Sequence, residues 1–258
     1  MFRKAVVLFM LKERGVFDPI GSGTFVFHKG KLLIVSAAHV FEGLANKGQI
    51  YLHVGPISQI IELSRIKVFT SSKKDVGGSR DKDALDLGVM VVPDEIVDIC
   101  NGKILMVQED FIESHSNTKN VQFYQAIGYP AAKNTKLAKK SSRTNRLFAP
   151  EILIYSGAHK SSDEVSNEKF VDEYHVILDW NNKKNYDDDG NRVNAPKPNG
   201  ISGGLIQGCF DYIPKSNGFY PTCAAGIITE KDTSGNAMIG TRFKTVFEWL
   251  RLHPKMLE

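Results

Sequence analysis

Cysteine is scarce in this chain. Its 258 residues hold three, Cys100, Cys209 and Cys223. The number is odd and no CxxC pair occurs, so zinc and redox readings lack support. Three free thiols suit a reducing compartment, and cytoplasmic is the expected location; one bridge with a thiol left over is the alternative. Net charge is also sparse, at +4, which points to acidic partners at most. No apolar run approaches the ~20 residues of a membrane span, so no membrane partner is expected. In MFRKAVVLFMLKERG, two basic residues precede seven apolar ones, and Lys12, Glu13 and Arg14 follow at once. With no small-residue cleavage site, this segment reads as a first buried strand rather than a signal peptide. There is no internal repeat. The three successive aspartates in NNKKNYDDDGNR (181–192) do not alternate as calcium ligands must, and read as a hairpin tip. No metal and no organic cofactor is implied.

What is present is ordinary globular material, with 42% hydrophobic and 24% charged residues. The length fits one large domain with two sub-cores, or two small domains. Short apolar, β-branched or aromatic runs dominate, at 4–11, 23–30, 31–39, 49–55, 64–70, 86–92, 121–130, 150–158, 173–180, 203–208, 222–229 and 236–243. Clusters of Gly, Asn, Asp, Ser and Pro separate them, which indicates an all-β sandwich or barrel. One good helical pattern lies at 241–253, where Phe243, Val246, Phe247 and Leu250 recur at helical spacing before Pro254. A weaker helical turn is expected just after His39. Residues 131–146 hold Lys133, Lys136, Lys139, Lys140, Arg143 and Arg146. No aromatic interleaves them, so the stretch reads as a solvated loop, and a nucleic-acid partner is disfavoured.

The segment NGISGGLIQG sets Ser202 among Gly200, Gly203 and Gly204. Three glycines in five residues weaken any regular element and suit a turn whose N–H groups converge. A serine hydroxyl is a weak nucleophile. It needs a base, and the base needs a partner that fixes its tautomer. Among seven histidines, His39 in LLIVSAAHVFEG sits where an apolar strand meets a turn. His28, His53 and His175 alternate with apolar neighbours and read as structural, while His115, His159 and His253 lie in polar or terminal segments. In DKDALDLGVMVV, Asp86 directly precedes a buried strand, where a carboxylate needs partners. Asp81 and Asp83 read as solvated loop residues.

VSAAHV, DALDLGVM and GISGGL thus occur in the order His, Asp, Ser. This resembles the trypsin/chymotrypsin-like serine peptidases; subtilisins and α/β-hydrolases use other orders. GSGTFVF, AIGYP, CAAGIITE and the terminal helix extend the likeness along nearly the whole chain, nearest to bacterial, disulfide-poor members. The resemblance implies an all-β fold of two six-stranded antiparallel Greek-key β-barrels packed face to face, with a C-terminal helix. Residues 1–118 would form the first barrel, and 119–258 the second barrel with the helix. It further implies a serine endopeptidase with Ser202 as nucleophile, His39 as base, Asp86 as orienting acid, and the N–H groups of Gly200 and Ser202 as oxyanion hole. Pro196, Thr229, Glu230 and Lys231 fall at the family's substrate-binding positions. No acid stands near Pro196, so a preference for arginine or lysine is not supported. Ile201 replaces the aspartate that pairs with a new N-terminus in animal members, so activation by N-terminal cleavage is not expected. Leu205 replaces the usual proline. The expected partner is a protein or peptide substrate, with a regulatory protein as a further one. The alternatives are a catalytically silent binding module on a protease fold, or an enzyme that needs an activating partner.

Overall fold

The structure is a computed structural model of the chain. It describes residues 2–45, 49–55, 58–63, 66–71, 83–113, 120–144, 148–181, 185–186, 192–193, 198–210, 222–232, 234 and 236–257. The strands of the first half are β1 (Val6–Glu13), β2 (Val16–His28), β3 (Lys31–Ala37), β4 (Gln49–Val54), β5 (Gln59–Leu63), β6 (Val68–Thr70) and β7 (Leu87–Val91). They pair antiparallel in the order β5-β4-β1-β2-β3-β7-β6. The second half contributes β8 (Phe123–Gly128), β9 (Leu153–Gly157), β10 (His175–Asp179), β13 (Leu205–Cys209), β14 (Thr222–Asp232) and β15 (Ala237–Arg242), ordered β10-β15-β14-β13-β8-β9. A small hairpin of β11 (Asn185–Tyr186) and β12 (Arg192–Val193) overlaps the stretch 181–192 expected as a hairpin tip, whose aspartates lie outside the described residues. The helices are α1 (Ala38–Leu44), α2 (Asp94–Cys100), α3 (Ala131–Thr144) and α4 (Phe243–Leu252). The architecture is all-β, two antiparallel barrels with a C-terminal helix.

Three of the four apolar clusters among the described residues explain the strand patterns. β1 is apolar without alternation because both of its faces are buried. Val6, Leu8 and Met10 face a core shared with Ile127, Leu205 and Ile227 of the second barrel, while Val7, Phe9 and Leu11 face the interior of the first. The second barrel has its own interior, around Tyr124, Val176, Trp180, Ile206 and Met238. The terminal helix is α4, where Phe243, Val246, Phe247 and Leu250 are all fully buried against the shared core. Each such side chain contributes roughly 1.5–3 kcal/mol.

Two expectations change. The first barrel has seven strands, not six, because β5 (QIIEL) is a partly exposed edge strand too short to show a pattern. The basic stretch is no loop. Residues Ala131–Thr144 form α3, which packs against β2. Its inward face is small and polar, with Asn134 and Ala138 buried, so no apolar stripe announces it. Asn134 seats it. Its amide donates to the Pro130 and Glu151 carbonyls at 2.9 and 3.0 Å, and its Oδ1 accepts the Glu151 N–H at 2.7 Å. All three cysteines are free and buried. Burial pushes the Cys209 and Cys223 thiols up to about 11 and about 12.

His53 is 6% exposed, packs edge-on against Tyr129, and has no hydrogen-bond partner at Nδ1. Burial drives its pKa from 6.5 down to about 4, so the fold holds the neutral ring. Between those values the unfolded chain binds more protons than the folded one, and stability falls as pH drops through that window. Urea unfolding should show a clear loss between pH 7 and pH 4.5. His53→Phe, which keeps the ring contact and removes the titration, should flatten that dependence; an unchanged slope would assign the acid sensitivity elsewhere.

Candidate active site

The register of β3 against β7 brings His39 and Asp86 together. Ala37 faces Leu87, and the ladder runs one step further, with the Ala38 N–H donating to the Asp86 carbonyl at 2.8 Å. His39 follows, in the first turn of α1. Its backbone N–H donates to Asp86 Oδ1 at 3.2 Å, and its ring Nδ1 lies 2.6 Å from Oδ2. One carboxylate thus holds both the backbone and the ring of the histidine. An ionised carboxylate accepts only, which puts the ring proton on Nδ1 and leaves a lone pair on Nε2. Asp86 is 14% exposed at its side chain and His39 46%, so the carboxylate is sheltered while the imidazole faces solvent.

The acid is held residue by residue. Asp86 has φ +43, a left-handed conformation that aspartate tolerates better than most residues. Its N–H donates to Asp83 Oδ1 at 3.1 Å. Asp83 is only 7% exposed, and Ser71 Oγ donates to its two oxygens at 3.0 and 2.9 Å. Asp83 is therefore not a solvated loop residue; it is a buried brace, and a carboxylate there is sustained by these donors. Asp81 lies outside the described residues. The two carbonyls between the aspartates are taken by the second barrel. His175 Nε2 lies 2.8 Å from the Ala84 carbonyl, and Thr241 Oγ1 donates to the Leu85 carbonyl at 2.6 Å. The Val171 N–H donates to His175 Nδ1 at 3.1 Å, so Nε2 carries the proton. Burial lowers the His175 pKa, against its contacts with the Ala84 and Val171 carbonyls, and the neutral ring is the form that bridges.

The serine turn is held from the other side, by β2. The Ser22 N–H donates to the Ser202 carbonyl at 2.8 Å, and Ser22 Oγ donates to the Gly200 carbonyl at 3.1 Å. The same hydroxyl accepts the Tyr129 N–H at 2.9 Å. Thr24 Oγ1 donates to the Gly203 carbonyl at 3.1 Å, and Ser36 Oγ to the Ser22 carbonyl at 2.7 Å. Ser36 precedes His39 by three residues, so this cluster lies between the serine turn and the histidine. Gly203 has φ +85, and a Cβ there would fall 2.0 Å from both the Ser22 carbonyl oxygen and Ser36 Oγ. Gly200 has φ +93, and its Cβ would strike Ala131.

Within the turn, the N–H groups of Ile201, Gly203 and Gly204 donate to Pro198, Ile228 and Ile201. Those of Gly200 and Ser202 have no partner among the described residues. The Asn199 carbonyl is fixed by the Ala131 N–H at 2.7 Å, and a trans peptide then points the Gly200 N–H away from Ala131. The Ser202 hydroxyl, half-buried, makes no hydrogen bond among the described residues. Among the described residues no hydrogen bond joins Ser202 to His39; where a serine and a histidine act as nucleophile and base, that contact commonly tightens only with substrate.

The other expected positions are less uniform. Pro196 lies outside the described residues. Thr229 is buried, and its hydroxyl donates to the Ile239 carbonyl at 3.3 Å. Glu230 pairs with Lys169 at 2.7 Å. With Lys231 it lines a cleft of ≈ 580 Å³ that also takes in Ser166, Phe170 and Asp232. Ser22, Thr24, Ser36, Ser71 and Thr241 were not singled out from the sequence. Hydroxyls two apart on one face of GSGT are the only local trace of Ser22 and Thr24.

No protein-family model and no curated sequence matches the chain. Solved structures do. The serine protease domain of the Sesbania Mosaic Virus polyprotein superposes with a TM-score of 0.50 at 12% identity, covering 96% of this chain and 92% of that one. The MamO protease domain from Magnetospirillum magneticum gives 0.49 at 13% identity, covering 96% and 97%. The viral domain shows the fold, that of a serine protease domain.

Replacing Ser22 by Ala removes the donor to Gly200 and strands the buried Tyr129 N–H. It should cost about 2–3 kcal/mol in chemical denaturation. Gly203→Ala should cost at least about 3 kcal/mol, or prevent folding, because both φ and space forbid the methyl group. A near-neutral Gly203→Ala would mean that the turn does not pack on β2 in this way.

Proposed function

We propose that the chain is a serine endopeptidase, of the trypsin/chymotrypsin-like kind. Ser202 attacks the carbonyl of a peptide bond, and His39 Nε2 takes its proton. The tetrahedral oxyanion is received by the N–H groups of Gly200 and Ser202. His39 then protonates the leaving amine, and water releases the acyl group by the same route. Asp86 holds His39 in the required tautomer and stabilises the imidazolium. The observation that carries the reading is the double hold of the Asp86 carboxylate on the His39 backbone and ring. The two uncommitted N–H groups around Ser202 support it. Thr229, Glu230 and Lys231 are proposed to border the substrate, and Glu230, paired with Lys169, to shape the cleft rather than read charge. Three free buried thiols favour a disulfide-poor protein of a reducing compartment. The unbonded Ser202 hydroxyl favours a second reading, a protease-fold binding module that is silent or awaits a partner.

Hydrolysis of a mixed peptide library by the intact chain separates the two readings. Ser202→Ala should abolish cleavage with the fold intact. Asp86→Asn should lower the rate by about 10⁴-fold through the wrong histidine tautomer. Asp83→Asn should lower both stability and rate, the rate by far less than Asp86→Asn, since Asp83 acts only by holding the Asp86 backbone. Cleavage that survives in Ser202→Ala would remove the proposed nucleophile, and a parent chain that cleaves nothing would favour the silent module.

A further inference from the structure

The helix α3 has no part in the chemistry above, yet it starts at the serine turn. Its first N–H, from Ala131, is bound to the Asn199 carbonyl, and Gly200 packs against Ala131. From there it runs along β2. Its beginning adjoins the part of β2 that holds the serine turn, and Thr135 Oγ1 meets Asp18 Oδ1 at 3.5 Å. The opposite flank of the same strand carries α1, where Val40 closes over Gly21 and Gly43 lies by Ile20. Residues 18–22 of β2 therefore form a floor between the helix that bears His39 and the helix α3. On the peptidase reading, a peptide whose scissile bond meets Ser202 and His39 would pass one end over that floor, alongside α3.

The helix is strongly basic. AAKNTKLAKKSSRT holds five basic residues and no acid. Lys133 pairs with Glu151. Lys136 and Lys139, one turn apart on the outward face, are exposed and meet no carboxylate among the described residues. At 1.5 Å of rise per residue they stand about 8–12 Å along the axis from Ala131. An extended chain covers that distance in about two to four residues. Because Asn134 fixes the helix at both the Pro130 and Glu151 backbones, the charges are presented on a firm support rather than on a loop.

We propose that α3 selects substrates with acidic residues two to four positions from the scissile bond, on the side that passes over Asp18–Ser22. This rests on the peptidase reading. An acidic peptide is favoured over nucleic acid because the cations adjoin the serine turn and the described face of α3 offers no aromatic side chain on which a base could stack.

The test uses cleavage profiling of a proteome-derived peptide library by the intact parent chain and by a Lys136→Glu/Lys139→Glu variant. Glutamate keeps helix propensity, so both proteins should melt alike. Cleaved peptides should be enriched in Asp and Glu on one side of the cut only, within about four positions. The variant should lose the enrichment and cut acidic peptides about tenfold more slowly, while neutral peptides are cut at the parent rate. The preference should fade at 0.5 M salt. Cleavage without acidic enrichment, or enrichment unchanged in the variant, overturns the proposal and leaves the peptidase reading intact. Absence of any cleavage overturns both. Inhibition of neutral-peptide cleavage by a thymidine decamer, more potent than by a glutamate decapeptide, would assign the helix to nucleic acid instead.

Discussion

Two sets of buried hydrogen bonds cross the junction between the barrels in opposite directions, and the geometry of the site depends on both. Ser22 and Thr24 of the first barrel hold the turn that carries Ser202 in the second. His175 and Thr241 of the second barrel hold the carbonyls of Ala84 and Leu85, beside Asp86 in the first. Neither barrel alone presents its share of the site in a fixed position. The apolar core between them supplies the bulk of the association, through residues such as Leu8, Val35, Ile127, Leu205 and Ile227. Such a core is non-directional. The hydrogen bonds set the alignment, since a slip of either barrel would leave buried donors and acceptors unmatched, at about 1–3 kcal/mol each.

The same arrangement explains the unusual backbone at the site. Asp86, Gly200 and Gly203 all have positive φ, and all lie where a chain segment must turn sharply while every neighbouring carbonyl is engaged. At Gly203 the requirement is steric as well as angular, because the Ser22 carbonyl and the Ser36 hydroxyl occupy the space a side chain would need. At position 86 the aspartate carboxylate is engaged by the backbone and ring of His39, and Asp83 receives the N–H that the left-handed turn directs inward.

Much of this was legible in the chain. His39 and Asp86 stood out because each interrupts an apolar strand boundary, and the register of β3 and β7 places them in contact as their positions suggested. The glycines around Ser202 announced a special turn. The strands of the second barrel and the terminal helix followed from apolar pattern. What was hidden has a common physical character. Asp83, Ser22 and Thr241 act through single hydrogen bonds to distant backbone, which no local pattern encodes. The helix α3 seats itself with an asparagine and alanines rather than with large apolar side chains, so its composition resembled a solvated loop. β5 is short and half-exposed, and carries too few residues to show a period.

The central claim is that Ser202 is an activated nucleophile in the intact chain. A biotinylated fluorophosphonate reacts with a serine hydroxyl only when a base and an oxyanion site are both in place. Intact mass and peptide mapping after brief exposure of the 258-residue chain should show one adduct, on Ser202, absent after heat denaturation. No adduct on the folded protein, or an adduct on another serine, would contradict the account.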